Sequence, residues 1–154
     1  MIIKKRYKGI SDTMKHIKIQ IIDSIDFALL ECPPMDTPEQ LFYWLKDRVI
    51  YKNDFKGVEL LQTMQTLFNN NAHNIPGAGD CDCFTITAVA CMISQGWDNI
   101  FIDLVGRDKR QPVHIYCHII WNGQRQILDL TNRKFNFERP YPYHQAIKIN
   151  WRTW

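Results

Sequence analysis

The chain has 154 residues, a net charge of +3, and 45% hydrophobic against 23% charged residues. That is one domain of ordinary globular sequence, which excludes a disordered or fibrous chain, and the charge is too mild to point to nucleic acid. Five cysteines (Cys32, Cys81, Cys83, Cys91 and Cys117) cannot all pair and lie in apolar stretches rather than a loop framework. They suggest a reducing compartment. Met1-Ile2-Ile3 has no signal-peptide core, and no apolar run approaches membrane-spanning length. The expectation is a soluble cytoplasmic protein, or one carried in a particle assembled inside a cell, without a membrane partner.

Lys4, Lys5, Arg6 and Lys8 read as a solvated N-terminal arm, and Ile17, Ile19 and Ile21, alternating with Lys18 and Gln20, as a half-buried strand. Thr37-Pro38-Glu39-Gln40 has an N-cap, a proline at the first helical position and a capping-box glutamine, opening a helix whose apolar face carries Leu41, Trp44, Leu45 and Val49. A second helix is expected from about Gly57, with Val58, Leu61, Met64, Leu67 and Phe68 on its buried face. A long polar loop, Asn69 to Ala78, then leads to Gly79-Asp80-Cys81-Asp82-Cys83. From about Cys81 to Gln95 the sequence is apolar almost all round and stops at Gly96, as a central buried helix would. Period two follows, predicting strands at Ile100 to Val105, Val113 to Trp121, Gln126 to Leu130 and Gln145 to Trp151. Asn122-Gly123 is a hairpin turn. Helices first and an antiparallel sheet after make an α+β order.

The chemistry centres on Cys81. On the first turn of a buried helix, unpaired amides and the helix dipole favour a thiolate. Such a nucleophile needs a base, and the base an orienting group. Alternation puts His114, Tyr116 and His118 on one face of their strand, and Ile115, Cys117 and Ile119 on the other. The Asn122-Gly123 turn places His114 opposite Thr131 and diagonal to Asp129, at ~7–8 Å, within side-chain reach. Zinc is the chemical rival, with Cys81, Cys83, Cys117, His114 and His118 as ligand types. Cys-x-Cys without a second close pair is a poor zinc spacing, however, and His114 and His118 would lie about 13 Å apart along a strand. No metal or cofactor is expected. His16 and His144 read as surface residues, His118 as surface or sheet packing, Cys91 and Cys117 as core. Cys83 is open between a second thiol and a reducible partner for Cys81. Trp151 and Trp154 are read as core or edge cover, with a docking tail as the alternative.

Gly79-x-Cys81-x-x-Phe84-Thr85, His114-Ile115-Tyr116 and Leu128-Asp129-Leu130-Thr131 resemble the Cys, His and Asp motifs of the transglutaminase-like superfamily. Gly-Asp-Cys-Asp is especially similar to small bacterial and phage transglutaminase-like cysteine peptidases. The resemblance covers residues 57–131. It implies one papain-like domain over 1–154, with residues 1–35 as N-terminal arm and strand and helices packed on a C-terminal antiparallel sheet. It implies Cys81 as nucleophile, His114 as general base and acid, and Asp129 as the orienting residue. Gln62 is the oxyanion donor it suggests, with Gln65 second, beside a backbone N–H near Cys81. The implied activity is thiol-dependent acyl transfer on a peptide or protein amide, ending in hydrolysis. Two alternatives stand beside it: protein-glutamine γ-glutamyl transfer to an amine, and a silent structural protein with a virion or complex partner. Cys83 where an acidic residue is usual, Leu130 in place of a proline, and Trp97-Asp98-Asn99-Ile100 in place of a proline turn motivate the silent alternative.

Overall fold

A computed structural model describes residues 2–6, 9–69, 73–109 and 112–154. Lys8 of the basic run and residues 70–72 of the polar loop lie outside them. Elements follow in the order β1 (Ile2–Arg6), α1 (Ile10–Glu31), α2 (Pro38–Lys46), β2 (Ile50–Tyr51), β3 (Val58–Gln62), α3 (Met64–Phe68), β4 (Ala78–Gly79), α4 (Cys81–Ser94), β5 (Ile100–Gly106), β6 (Pro112–Trp121), β7 (Gln124–Leu128) and β8 (Tyr143–Lys148), with a closing 3-10 turn at Trp151–Thr153. Helix and strand are mixed, as an α+β order requires. The strands form a four-stranded antiparallel sheet, β7-β6-β5-β8, and two pairs, β1-β3 and β2-β4.

Helix α4 is the axis of the molecule. Every residue from Cys83 to Ile93 is buried, so no face is left for solvent and the helix is enclosed by α1, α2, α3 and the sheet. Its inward neighbours are Ile100, Ile102 and Leu104 on β5, Ile115, Cys117 and Ile119 on β6, and Leu128. The apolar face of β6 therefore meets the helix, and His114, Tyr116 and His118 take the outer face. Tyr116 joins Val105 and Ile127 in a smaller cluster there, with Tyr141 packed against it.

The first third of the chain departs from the expected strand and arm. Ile17 and Ile21 belong to a 22-residue helix whose buried stripe runs Met14, Ile17, Ile21, Ser24 and Ala28, while Ile19 is 40% exposed. Five residues of alternation are outweighed by a helical period kept from Met14 to Ala28, about four turns. The basic run is not a free arm either, because the backbone of Ile2–Arg6 pairs antiparallel with Val58–Gln62. That pairing also corrects the helix expected from Gly57. Apolar residues three apart imitate a helix there, but Thr63 is the N-cap, its Oγ1 accepting from Thr66 N, so the helix is only α3.

Helix α2 begins as its capping signals require, with Thr37 Oγ1 accepting from Gln40 N and Gln40 Oε1 accepting from Asp36 N. Gly77, at φ +82°, is needed for close approach: a Cβ there would lie 2.0 Å from the Arg48 carbonyl oxygen. Its own carbonyl accepts from Ile50 N, which brings β2 beside β4 and the start of α4. At the other end, Trp151 and Trp154 pack partly buried against the core, and Lys18 Nζ sits 5.5 Å from the Trp154 ring centroid. No helix among the described residues is long and apolar enough to cross a membrane.

Candidate active site

The two-residue turn at Asn122-Gly123 pairs Trp121 with Gln124 and Cys117 with Leu128. Continuing that register past the end of β7 sets Thr131 opposite His114 and Asp129 on the diagonal, and His114 Nε2 lies 2.7 Å from Asp129 Oδ2. Asp129 is buried, at 6% exposure, and its other oxygen accepts from Thr131 N at 3.0 Å and Thr131 Oγ1 at 2.6 Å. Both carboxylate oxygens are thus fixed. Since an ionised carboxylate only accepts, Nε2 carries the ring proton and Nδ1 is left as the basic nitrogen.

Cys81 reaches the same place from the helix. Asp80, the N-cap, sets the first turn. Thr85, one turn on, donates to Cys81 O at 2.8 Å and lies 3.4 Å from Ile115 O, which holds that turn against β6 beside His114. Cys81 and His114 line one cavity of about 120 Å³, together with Asp82, Glu59, Leu104 and Ile115. No hydrogen bond joins the Cys81 thiol to the His114 ring among the described residues. His114 also lines a second cavity of about 300 Å³ with Asp129, Thr131, Arg139, Tyr51 and Tyr141.

The electrostatics around the thiol differ from what a bare helix N-terminus would give. Burial first, and then the carboxylates of Asp82 and Asp80, push the Cys81 thiol well above its ordinary range, with the Ile115 backbone N–H working the other way. The cap itself takes up one of the dipole's donors, because Asp80 Oδ1 accepts from Asp82 N at 3.2 Å. Asp80 is pushed up to about 9, by burial first and then by Asp82 and Asp54. Burial likewise raises Asp54. Burial thus favours the protonated form of both carboxyls. Burial and the neighbouring acids therefore disfavour a standing thiolate on Cys81.

Gln62 is placed elsewhere. It is fully buried, and its Nε2 donates to Ala78 O at 3.2 Å and toward Cys83 Sγ at 3.6 Å. It does not line the cavity shared by Cys81 and His114. Gln65 donates to Asp23 O, also away from that cavity. Of the groups that act on the thiol, the Ile115 backbone N–H is the one that favours its ionised form. Cys83 turns inward and donates to Leu60 O at 3.0 Å, which makes it a buried structural thiol and no neighbour of the Cys81 cavity. Cys91 lies deep in the core with Cys32, the two sulfurs 2.9 Å apart.

The zinc set weighed from sequence is not assembled, since Cys83 faces β3 and Cys117 and His118 take opposite faces of β6. Among the described residues, acidic and histidine groups converge at Asp54, Asp80 and Asp82, and at Asp103, Glu138 and His144. Sequence reasoning missed both. Asp103 is fully buried. It accepts from His118 Nδ1 at 2.6 Å, His144 Nε2 at 2.6 Å and Arg125 at 3.1 Å. Arg125 also grips Glu138 through two bonds of 2.7 Å, and Tyr116 donates its hydroxyl to the same carboxylate. His118, at 3% exposure and stacked 4.7 Å from Phe101, is a paired interior residue. The signal was legible in principle: β5 pairs Asp103 with Tyr116, which sets His118 on the diagonal. With a guanidinium already between the carboxylates, this is an ion-pair network that clamps the outer face of the sheet. Compared with protein-family models, with curated proteins and with solved structures, the chain matches none.

Proposed function

We propose that this chain is a thiol-dependent acyl-transfer enzyme acting on amide bonds, a papain-like protein of the transglutaminase type, with hydrolysis as its reaction. The observation that carries the reading is the His114–Asp129 pair at 2.7 Å, whose ring borders the cavity that also holds Cys81. His114 Nδ1 takes the thiol proton as sulfur attacks the amide carbonyl. Asp129, held by Thr131, stabilises the imidazolium that results. The imidazolium then protonates the departing amine as the C–N bond breaks, leaving a thioester on Cys81. Water, deprotonated by the same nitrogen, attacks the thioester and releases the acid and the thiol. The Ile115 amide is the candidate donor to the oxyanion.

A thiol raised by burial and by Asp82 suits this sequence, in which proton transfer accompanies attack and no standing ion pair is required. An amine acceptor would use the same residues, and Asp82 and Glu59 on the cavity wall suit an ammonium group, which keeps transamidation as the second reading. Alkylation with iodoacetamide tests the pair. Modification located by mass spectrometry should fall on Cys81 ahead of the four buried thiols, and its rate at pH 7.5 should drop about tenfold or more in His114→Ala. A rate indifferent to His114, or a label elsewhere, favours a silent scaffold.

A further inference from the structure

The 300 Å³ cavity beyond His114 has a wall made by the segment after β7, and that wall is fixed residue by residue. Asn136 Oδ1 accepts from Ile127 N at 2.9 Å, and Asn136 N donates to Ile127 O at 3.0 Å. Asn132 Nδ2 donates to Phe137 O at 3.2 Å. Glu138 is then held by both guanidinium nitrogens of Arg125. Next come Arg139, which lines the cavity, and Pro140, whose ring fixes its own φ and restricts the residue before it. The backbone that carries Arg139 is therefore immobilised on both sides. The guanidinium itself is on the exposed rim, and among the described residues no carboxylate pairs with it.

The other charge on the lining does not compete for it. Asp129 spends one oxygen on His114 and the other on Thr131. Tyr141, whose ring centroid is 6.4 Å from that of His114, and Tyr51, 51% exposed, give the cavity flat apolar sides. Tyr51 is braced by an edge contact with Phe84 at 6.1 Å and by its phenol on Asn53. A single planar guanidinium on a cavity that two aromatic rings also line matches a planar monoanion, which it can hold by two parallel bonds. A dianion would find one cation and a nearby carboxylate.

We propose that this cavity is a substrate subsite for a residue bearing a carboxylate, held by Arg139 beside the reacting amide. The inference deepens the acyl-transfer reading and rests on it for the word substrate; the binding itself does not require turnover. The carboxylate is either a side chain's or a chain terminus, and both chemistries are one to the guanidinium.

Three probes separate these sources on the full chain carrying Cys81→Ala, which cannot form a thioester there. N-acetyl-glutamate α-amide offers only a side-chain carboxylate, N-acetyl-glutamine only a terminal one, and N-acetyl-glutamine α-amide neither. Amide chemical shifts of a nitrogen-15-labelled sample report where each binds, and the free spectrum confirms folding. At least one acidic probe should shift Tyr51, Thr131, Asn132 and Tyr141 with an affinity on the order of tenfold above the neutral probe. That preference should vanish in Arg139→Gln and in Arg139→Glu. Equal binding of all three probes, or a preference unchanged by either substitution, overturns the subsite. A chain that keeps the Arg139-dependent preference while its wild-type form is never acylated at Cys81 retains the site and loses the enzymatic reading.

Discussion

His114 Nε2 and Asp129 Oδ2 stand 2.7 Å apart because a two-residue turn sets the register of β6 and β7, and one residue past the last pair Asp129 lies diagonal to His114. The contact is a product of counting along a hairpin, so it tolerates no insertion at Asn122-Gly123. Its value lies in orientation. With Nε2 committed to a carboxylate, the imidazole keeps one defined nitrogen free of that pair, on a residue that lines the Cys81 cavity. Asp129→Asn keeps the shape but replaces an acceptor by an amide that can donate to Nε2 and favour the wrong tautomer. Turnover of an activated ester should fall on the order of 10²–10⁴-fold. Thr131→Ala, which removes the hydroxyl bond to Asp129 Oδ1 and keeps the backbone N–H bond to it, should cost on the order of tenfold. Equal losses in the two variants would contradict the ordering.

Asp82 opposes ionisation of Cys81 and is not a member of the His114–Asp129 pair. Asp82→Asn should therefore move the rise of the Cys81 alkylation rate to lower pH. Rates measured from about pH 6 to 10 with iodoacetamide check this, the thiolate being the faster nucleophile. An unmoved profile would mean that burial alone sets the thiol, and a profile moved upward would contradict the charge placement.

Asp80 gives a pH dependence of stability with a definite sign. Its carboxyl is raised from an ordinary 3.8 to about 9 by burial and its carboxylate neighbours. Between those values the folded chain holds a proton that the unfolded chain has released. Stability is therefore full below the unfolded value and declines as pH rises toward about 9. Asp80→Asn keeps an oxygen to cap Asp82 N and removes the ionisation. Tm measured from about pH 5 to 9 should fall more steeply for the wild type than for the variant, with the variant the more stable at the alkaline end. Parallel lines would contradict the assignment.

The outer face of the sheet depends on Asp103, which is fully buried and joined by His118, His144 and Arg125. Asp103→Ala leaves Arg125 and two histidines around an empty centre and should cost about 3–5 kcal/mol in urea unfolding. Arg152→Ala, which breaks an exposed pair with Asp98, should cost almost nothing by the same measurement. Similar losses in both would mean that the network is no clamp.

What the sequence disclosed was local or one turn away. The Cys81–Gln95 helix announced itself by an apolar run between a capped start and Gly96, and the His114–Asp129 contact by the arithmetic of a short hairpin. What it concealed was set at long range or by competing periods. Nothing near Val58-Glu59-Leu60-Leu61-Gln62 says that its partner is Ile2–Arg6 at the start of the chain, and apolar spacing at Val58, Leu61 and Met64 fits a helix as well as a strand. Ile17 and Ile21 satisfy both periods, and only the stripe from Met14 to Ala28 decides between them. Gln62 looked like a site residue because it lies near the right place in sequence; the strand it ends turns its amide inward to Ala78 and Cys83. His144 needed the β5–β8 pairing, 41 residues from Asp103, before it could be seen as a partner.

Acyl capture is the most direct measurement. p-Nitrophenyl acetate transfers its acetyl group to an activated thiol and releases p-nitrophenolate, so one burst and one added acetyl on intact mass report the event together. The predicted result is a single acetyl on the peptide that carries Cys81, lost in Cys81→Ala and slowed about 100-fold or more in His114→Ala. An acetyl spread over several thiols or lysines, or one on Cys81 at the same rate without His114, would contradict a catalytic Cys81–His114–Asp129 triad.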